Sequence, residues 1–226
     1  MKIEATSFTK SIGKIKVLEN INVSLESGNI YGVVGRNGSG KTMFLRMITG
    51  LILPTNGEVK VDGRVLGKDI SFPDKLGILL EKPSFIGHLT GYENLKMLAK
   101  IRNVTKSEDI QYFMNIFDLD WKTKKKFNKY SLGMKQKLGI IQAIMENQQI
   151  IILDEPFNAL DETSVGTLRK VLEKLRTEQK LIVMTSHNKE DIQLLCDHTI
   201  TISEGKIIGV HKNLEQENDL MTAKDA

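Results

Sequence analysis

Between residues 35 and 42 the chain reads GRNGSGKT, directly after the short apolar run Ile30 to Val34. Such a run reads as a buried strand, and the segment behind it fits the phosphate-binding pattern Gly-x-x-x-x-Gly-Lys-Thr. Gly35, Gly38 and Gly40 permit main-chain conformations closed to other residues, so that successive N–H groups turn inward around phosphate oxygens. A helix opening near Lys41 points the positive end of its dipole at the same place. Lys41 is placed to reach the β and γ phosphates and the Thr42 hydroxyl to hold Mg2+. Taken alone, the segment also suits a merely structural glycine-rich turn. Read as a site, it puts a nucleoside triphosphate against Arg36, Asn37, Gly38, Ser39, Gly40, Lys41, Thr42 and Met43.

The remainder of the chain sets bounds on that site. A length of 226 residues supports a sizeable core and a single domain with room for an inserted subdomain. The net charge of +4 is modest, and the basic residues are scattered except in Trp121 to Lys129, WKTKKKFNK, which reads as a solvated charged face. The single Cys196 has no disulfide partner and no metal-ligand spacing around it, which suits a reducing compartment and a packing role. No segment approaches the roughly eighteen uninterrupted apolar residues of a spanning helix, and the N-terminus lacks the apolar core of a signal peptide. Work at a membrane therefore calls for a separate chain.

Along the chain, Met1 to Leu25 alternates in short runs broken at Ile12-Gly13, which predicts antiparallel strands, and Glu58 to Asp62 predicts another strand before a Gly63 turn. Met43, Phe44, Met47 and Ile48 recur at helical spacing, with Gly50 closing that helix; Leu76 to Leu80 reads as a strand. Tyr92 to Ile101 and Glu108 to Phe117 predict helices. From Ile150 the pattern becomes strand 150–153, helix 162–178, strand 181–184, helix 188–196 and strand 198–203. That alternation predicts a parallel sheet covered on both faces. The polar tail 213–226 carries no readable chemistry.

Three further segments carry chemistry. Ile150 to Leu153 delivers Asp154 and Glu155 at the carboxyl end of a buried strand. Neighbouring side chains on a strand point to opposite faces, so the two acids divide the work: Asp154 toward Mg2+, Glu155 toward the water that attacks the γ phosphate. A plain turn or helix cap is the bland alternative. His187 follows the strand 181–184, on the rim where the γ phosphate would sit; a lone histidine is more often structural. Ser131 is a suitable N-cap for a helix running to Met145, and such a start beside Gly133 is either a second anion site or an ordinary capped helix.

In this order the segments resemble the ATP-binding subunit of an ABC transporter over nearly the whole chain. GRNGSGKT resembles its Walker A, IIILDEP its Walker B, YSLGMKQ its signature, Asn158 to Asp161 its D-loop and His187 its switch histidine. The resemblance implies a P-loop, RecA-like α/β core with an antiparallel β subdomain and a helical subdomain inserted at about 83–149, together spanning 1–212. It implies catalytic roles for Glu155 and His187, nucleotide contacts from Ser131, Gly133 and Asp161, and a head-to-tail dimer in which one subunit's signature covers ATP on the other. It also implies a separate polytopic membrane subunit, a place on the inner face of the cell membrane, and no nucleic-acid partner.

The chain departs from the family pattern at three places. The usual signature LSGGQ is YSLGM here, keeping Ser131 and Gly133 but changing Tyr130, Leu132 and Met134. Glu81 stands where the family has a glutamine, and a carboxylate there is still a metal ligand, with added negative charge beside the phosphates. Ile12 stands where an aromatic usually stacks on adenine. Glu81 with PSF, LTGYENL and YSLGMKQ resembles the bacitracin-resistance and lantibiotic-immunity exporters, with the segment 81–92 expected near the membrane helices. A soluble ABC-type ATPase acting on ribosomes or nucleic acid is the competing class; such relatives carry two nucleotide domains or long coiled coils, which this sequence lacks.

Overall fold

The computed structural model describes residues 1–213. In chain order the elements are β1 (Lys2–Ile12), β2 (Ile15–Glu26), β3 (Ile30–Val34), α1 (Lys41–Ile48), β4 (Asn56–Val61), β5 (Arg64–Val65) and β6 (Leu76–Leu79). These are followed by α2 (Gly91–Arg102), α3 (Ser107–Ile116), α4 (Leu132–Ile144), β7 (Ile150–Leu153), α5 (Glu162–Thr177), β8 (Leu181–Thr185), α6 (Lys189–Leu195), β9 (His198–Ser203) and β10 (Lys206–Lys212). All of the expected tail beyond Asn213 lies outside the described residues. Asn213 itself is tied to the core, its side-chain amide donating to the Cys196 carbonyl at 2.8 Å.

Two sheets result. A four-stranded antiparallel sheet runs β2-β1-β4-β5, and a six-stranded sheet runs β10-β9-β3-β8-β7-β6. In the larger sheet β9, β3, β8, β7 and β6 are parallel, and β10 is added antiparallel at one edge. The expected parallel sheet is therefore present with an antiparallel edge strand. β10 escapes the reading of hydrophobic alternation because Ile208 and Val210 face solvent, 65% and 50% exposed.

The larger sheet separates two hydrophobic layers, and β7 shows why its sequence is apolar throughout. Ile151 and Leu153 join Leu138, Ile141, Leu168, Leu172 and Cys196 on the helical side. Ile150 and Ile152 join Phe44, Met47, Ile48 and the apolar face of the antiparallel sheet on the other. A strand buried on both faces has no polar alternation to show. Burial raises the Cys196 thiol far above its ordinary range, in keeping with a packing role.

Local signals set the helix starts. Thr90 and Glu93 form a reciprocal capping box at α2, while the Ser131, Asp161 and Asn188 side chains cap α4, α5 and α6. α4 lies on β6 and β7, so the C-terminal part of the segment inserted between those strands belongs to the core's packing. Tyr130 is buried beneath α2, where its hydroxyl accepts the Gly91 N–H at 3.1 Å. The basic run beside it is anchored by buried Phe127 and by Trp121 against Tyr92, with most of its lysines left outward.

Candidate active site

The register of the parallel strands decides what meets at their carboxyl ends. Val33 of β3 lies beside Thr185 of β8, and Leu153 of β7 beside Met184. The residues next in sequence, the phosphate loop, Asp154-Glu155 and Ser186-His187, therefore emerge along one edge, where ligands bind in open α/β sheets.

The phosphate loop is shaped for an anion. Gly38 and Gly40 take φ of 76° and 110°, a region that side-chain-bearing residues rarely adopt. Lys41 is buried at the start of α1, its ammonium donating to the carbonyls of Gly35 at 2.9 Å and Arg36 at 3.3 Å. No carboxylate takes up its charge in those contacts, and the buried Ser39 hydroxyl has no partner. A cavity of about 300 Å3 opens here, lined by Asn37, Gly38, Gly40, Lys41, Thr42, Met43, Asp154, Glu155 and His187. An unpaired buried hydroxyl, a cation held by neutral carbonyls and a left-handed glycine turn fit a phosphate chain.

Across the cavity, both oxygens of Asp154 are held by hydroxyls: Thr42 donates to Oδ2 at 2.9 Å and Thr185 to Oδ1 at 2.6 Å. Glu155 takes φ of 51°. Its N–H donates to Thr185 Oγ1 at 2.7 Å, and its carbonyl accepts from Gln136 Nε2 at 3.1 Å. The His187 N–H donates to Glu155 Oε2 at 3.2 Å, while His187 Nε2 lies 3.2 Å from Oε1 without an aligned hydrogen bond. Burial raises the Glu155 carboxyl above the usual carboxylate range, against opposing pulls from His187 and Lys41. A carboxyl so poised is suited to take a proton from water.

The structure thus brings Asn37, Gly38, Gly40 to Met43, Asp154, Glu155 and His187 to one cavity, with Arg36 and Ser39 on the loop that frames it. Other expected residues lie elsewhere. Ile12 is exposed at the end of β1, paired across the hairpin with Ile15. Ser131 caps α4 by accepting the Met134 N–H at 3.2 Å, and Gly133 sits against the Ala159 carbonyl. Asp161 is committed as the cap of α5, accepting from the Ser164 N–H and hydroxyl, and pairs with Lys137 at 3.2 Å. The Ser164 contacts, then Lys137, lower its carboxyl to about 2. In this chain that carboxylate caps the helix. Glu81 lines the adjoining cavity with Asp154 and Glu155, but its carboxylate is turned onto Arg46 of α1.

Three contacting residues escape sequence reasoning: Thr185, Gln136 and Arg46. The usable signal for Thr185 is its position at the end of a strand paired with β7, and for Gln136 its place at the end of the YSLGMKQ segment; Arg46 offers none.

A parallel sheet with this loop and these acids at one edge defines a P-loop ATPase with a RecA-like core. Comparison with known proteins narrows the class. Residues 18–158 match the ABC transporter family. An uncharacterized ABC transporter ATP-binding protein of Bacillus subtilis, YybJ, is 42% identical over 91% of this chain and 94% of its own. The bacitracin transport ATP-binding protein BcrA of Bacillus licheniformis is 38% identical over 91% of this chain and 68% of its own. The dimeric structure of a bacterial ABC transporter cassette superposes with a TM-score of 0.82 at 25% identity, covering 93% of this chain and 98% of that one. The chain belongs to the ABC transporter family, as an ATP-binding subunit that hydrolyses ATP.

Proposed function

We propose that this subunit powers the export of a peptide antibiotic or similar drug-like compound through a separate polytopic membrane chain. The observation that carries the energetic half is the convergence of Lys41, Thr42, Asp154, Glu155 and His187 on one cavity. In this reading the loop amides and Lys41 bind the ATP phosphates, Glu155 receives the proton of the attacking water, and His187 steadies the Glu155 carboxylate and the γ phosphate. Among the described residues no group of three or more His, Cys, Asp or Glu forms a metal cage. The oxygens of Thr42 and Asp154 nevertheless fit Mg2+, which is held by few protein ligands together with substrate phosphates and waters. Mg2+ there supplies neutralising charge to the phosphate oxygens.

Head-to-tail pairing of two such subunits accounts for Ser131 and Gly133, which do not line the chain's own phosphate cavity and would cover ATP on the other copy. The helical segment at about 83–149 acts as the carrier of that surface, and Ile12 as the apolar contact for adenine. No helix among the described residues is long and apolar enough to cross a membrane. In this reading the subunit sits on the inner face of the cell membrane through its partner. The substrate class rests on the likeness to the bacitracin transport protein.

Glu155→Gln tests the site: turnover falls by about 10²-fold or more, the loss typical of a general base, while ATP binding persists and ATP-bound dimers accumulate. Normal hydrolysis by this variant would remove Glu155 from the role. Co-purification with a polytopic chain, and loss of bacitracin-type resistance on deleting the pair, tests the transport half.

A further inference from the structure

Thr185, the last residue of β8, has a fully buried side chain that does two things at once. Its hydroxyl proton goes to Asp154 Oδ1 at 2.6 Å, and its oxygen accepts the N–H of Glu155 at 2.7 Å. A hydroxyl has one proton to give, so the first bond fixes its rotor and leaves the lone pairs for the second. The residue it grips is strained. A left-handed conformation costs a non-glycine residue about 1–2 kcal/mol, and such strain persists where the surroundings over-determine it. At Glu155 the over-determination is visible: the N–H is held by Thr185, the carbonyl by Gln136, and the side chain by the His187 N–H.

We propose that Thr185 is a positioning residue for ATP hydrolysis, its single hydroxyl setting the orientation of the Asp154 carboxylate and of the Glu155 peptide relative to each other. Thr42 holds the other Asp154 oxygen, so the chain Thr42–Asp154–Thr185–Glu155 runs unbroken from the phosphate loop to the general base. Removing the hydroxyl frees one Asp154 oxygen and leaves the Glu155 N–H without its acceptor. Displacing a reacting group by about 1 Å can cost about 10²-fold in rate, so a small rotation of either acid is enough to register. This inference rests on the roles given to Asp154 and Glu155 above.

The test uses the full chain. Thr185→Val keeps the shape of the side chain and removes the hydroxyl; Thr185→Ser keeps the hydroxyl. The expected result is a fall in kcat of about tenfold or more for Thr185→Val with KM for ATP within about threefold, since an orientation lost in the transition state leaves ground-state binding intact. Half-activation by Mg2+ moves up at least about threefold, and ATP binding measured without Mg2+ stays within about twofold, because the loop amides are untouched. Thr185→Ser restores kcat to within about threefold. The proposal is overturned if folded Thr185→Val keeps kcat within twofold of the wild type, or if Thr185→Ser is impaired as deeply as Thr185→Val. Should Thr185→Val not fold, Thr185→Cys, whose thiol is a weak donor and acceptor, carries the same expectations and the same overturning results. Glu155→Gln is assayed alongside: if it turns over normally, the roles of the acids fail, whereas an inactive Glu155→Gln beside a normal Thr185→Val sinks only the role of Thr185.

Discussion

The phosphate cavity of this subunit and the start of α4, proposed above to cover ATP on another copy, are built to different degrees of completion. Around Lys41 the chain supplies most of the contacts itself, the Ser39 hydroxyl excepted: loop carbonyls hold the ammonium, hydroxyls hold both Asp154 oxygens, and side chains clamp the Glu155 peptide on both sides. At the start of α4 the Ser131 hydroxyl is spent on its own helix, Leu132 is 59% exposed, and Gly133 is pressed against the Ala159 carbonyl. The first surface is a closed network of hydrogen bonds within one chain; the second is a face. Hydrolytic groups that must hold a fixed geometry are worth assembling in one chain, whereas a face of the kind proposed at α4, completing another copy's site, would let ATP act as the adhesive between them.

Breaking the second surface alone separates the two. A Cβ on Gly133 would lie 2.7 Å from the Ala159 carbonyl oxygen, so any side chain there displaces the backbone of the segment behind Glu155 or tilts the start of α4. Gly133→Asp adds a negative charge where phosphate is proposed to arrive. Turnover is expected to fall by about 10²-fold, the scale of losing an oxyanion-type contact, while ATP binding by the isolated chain changes by less than about threefold. Steady-state ATPase and equilibrium ATP binding check this together. Parallel loss of both would show that the surfaces are one site within a single chain.

The closed network makes a pH prediction with a definite sign. Burial raises the Glu155 carboxyl, so the folded chain holds that proton more tightly than the unfolded one. Folding stability associated with it is therefore present at low pH and is lost as pH rises from the ordinary carboxylate value of about 4.3 through the raised folded value. Activity moves the opposite way, since the base acts ionised: the acid limb of kcat/KM for ATP is expected above about 4.3. Thermal unfolding of the wild type and of Glu155→Gln across that window provides the second readout, the stability of the wild type relative to the variant falling as pH rises. An acid limb at the ordinary value would mean that Glu155 is better solvated than its surroundings indicate.

How far these features are legible in the sequence follows from the range of the interactions. The phosphate loop and the acids behind β7 announce themselves because their constraints are local: left-handed glycines, a helix start, and a strand with no polar alternation. β10 is hidden because its exposed face carries Ile208 and Val210, reversing the pattern that marks a half-buried strand. Thr185 and Gln136 reach Asp154 and Glu155 across 31 and 19 residues of chain, through a register no local rule supplies. Asp161 stands at the opposite extreme. Its contacts to Ser164 are wholly local, an Asp three residues before a serine at a helix start, the pattern that the capping rule alone predicts.

The smallest expected effect lies on the border between the two surfaces. Glu81 shares a cavity with Asp154 and Glu155 on one side and with Leu132 and Asn158 on the other, yet its carboxylate is paired with Arg46. Its own backbone is left-handed, φ 58°, so the side chain is aimed by a strained turn at the end of β6. The side chains of Glu81 and Arg46 are 62% and 37% exposed, and such ion pairs contribute about 0–1 kcal/mol, screened by salt. Glu81→Gln keeps a hydrogen-bond acceptor for Arg46 and removes only the charge. Stability is expected to change by less than about 1 kcal/mol, a difference that shrinks as ionic strength rises, and basal ATPase by less than about threefold. The case for Glu81 as a metal ligand makes a larger demand, because a carboxylate contributing to Mg2+ shifts the half-activation concentration when neutralised. Titrating Mg2+ against ATPase in Glu81→Gln decides between them. An unchanged midpoint leaves Glu81 as the partner of Arg46, and a midpoint raised about tenfold moves it into the set with Thr42 and Asp154.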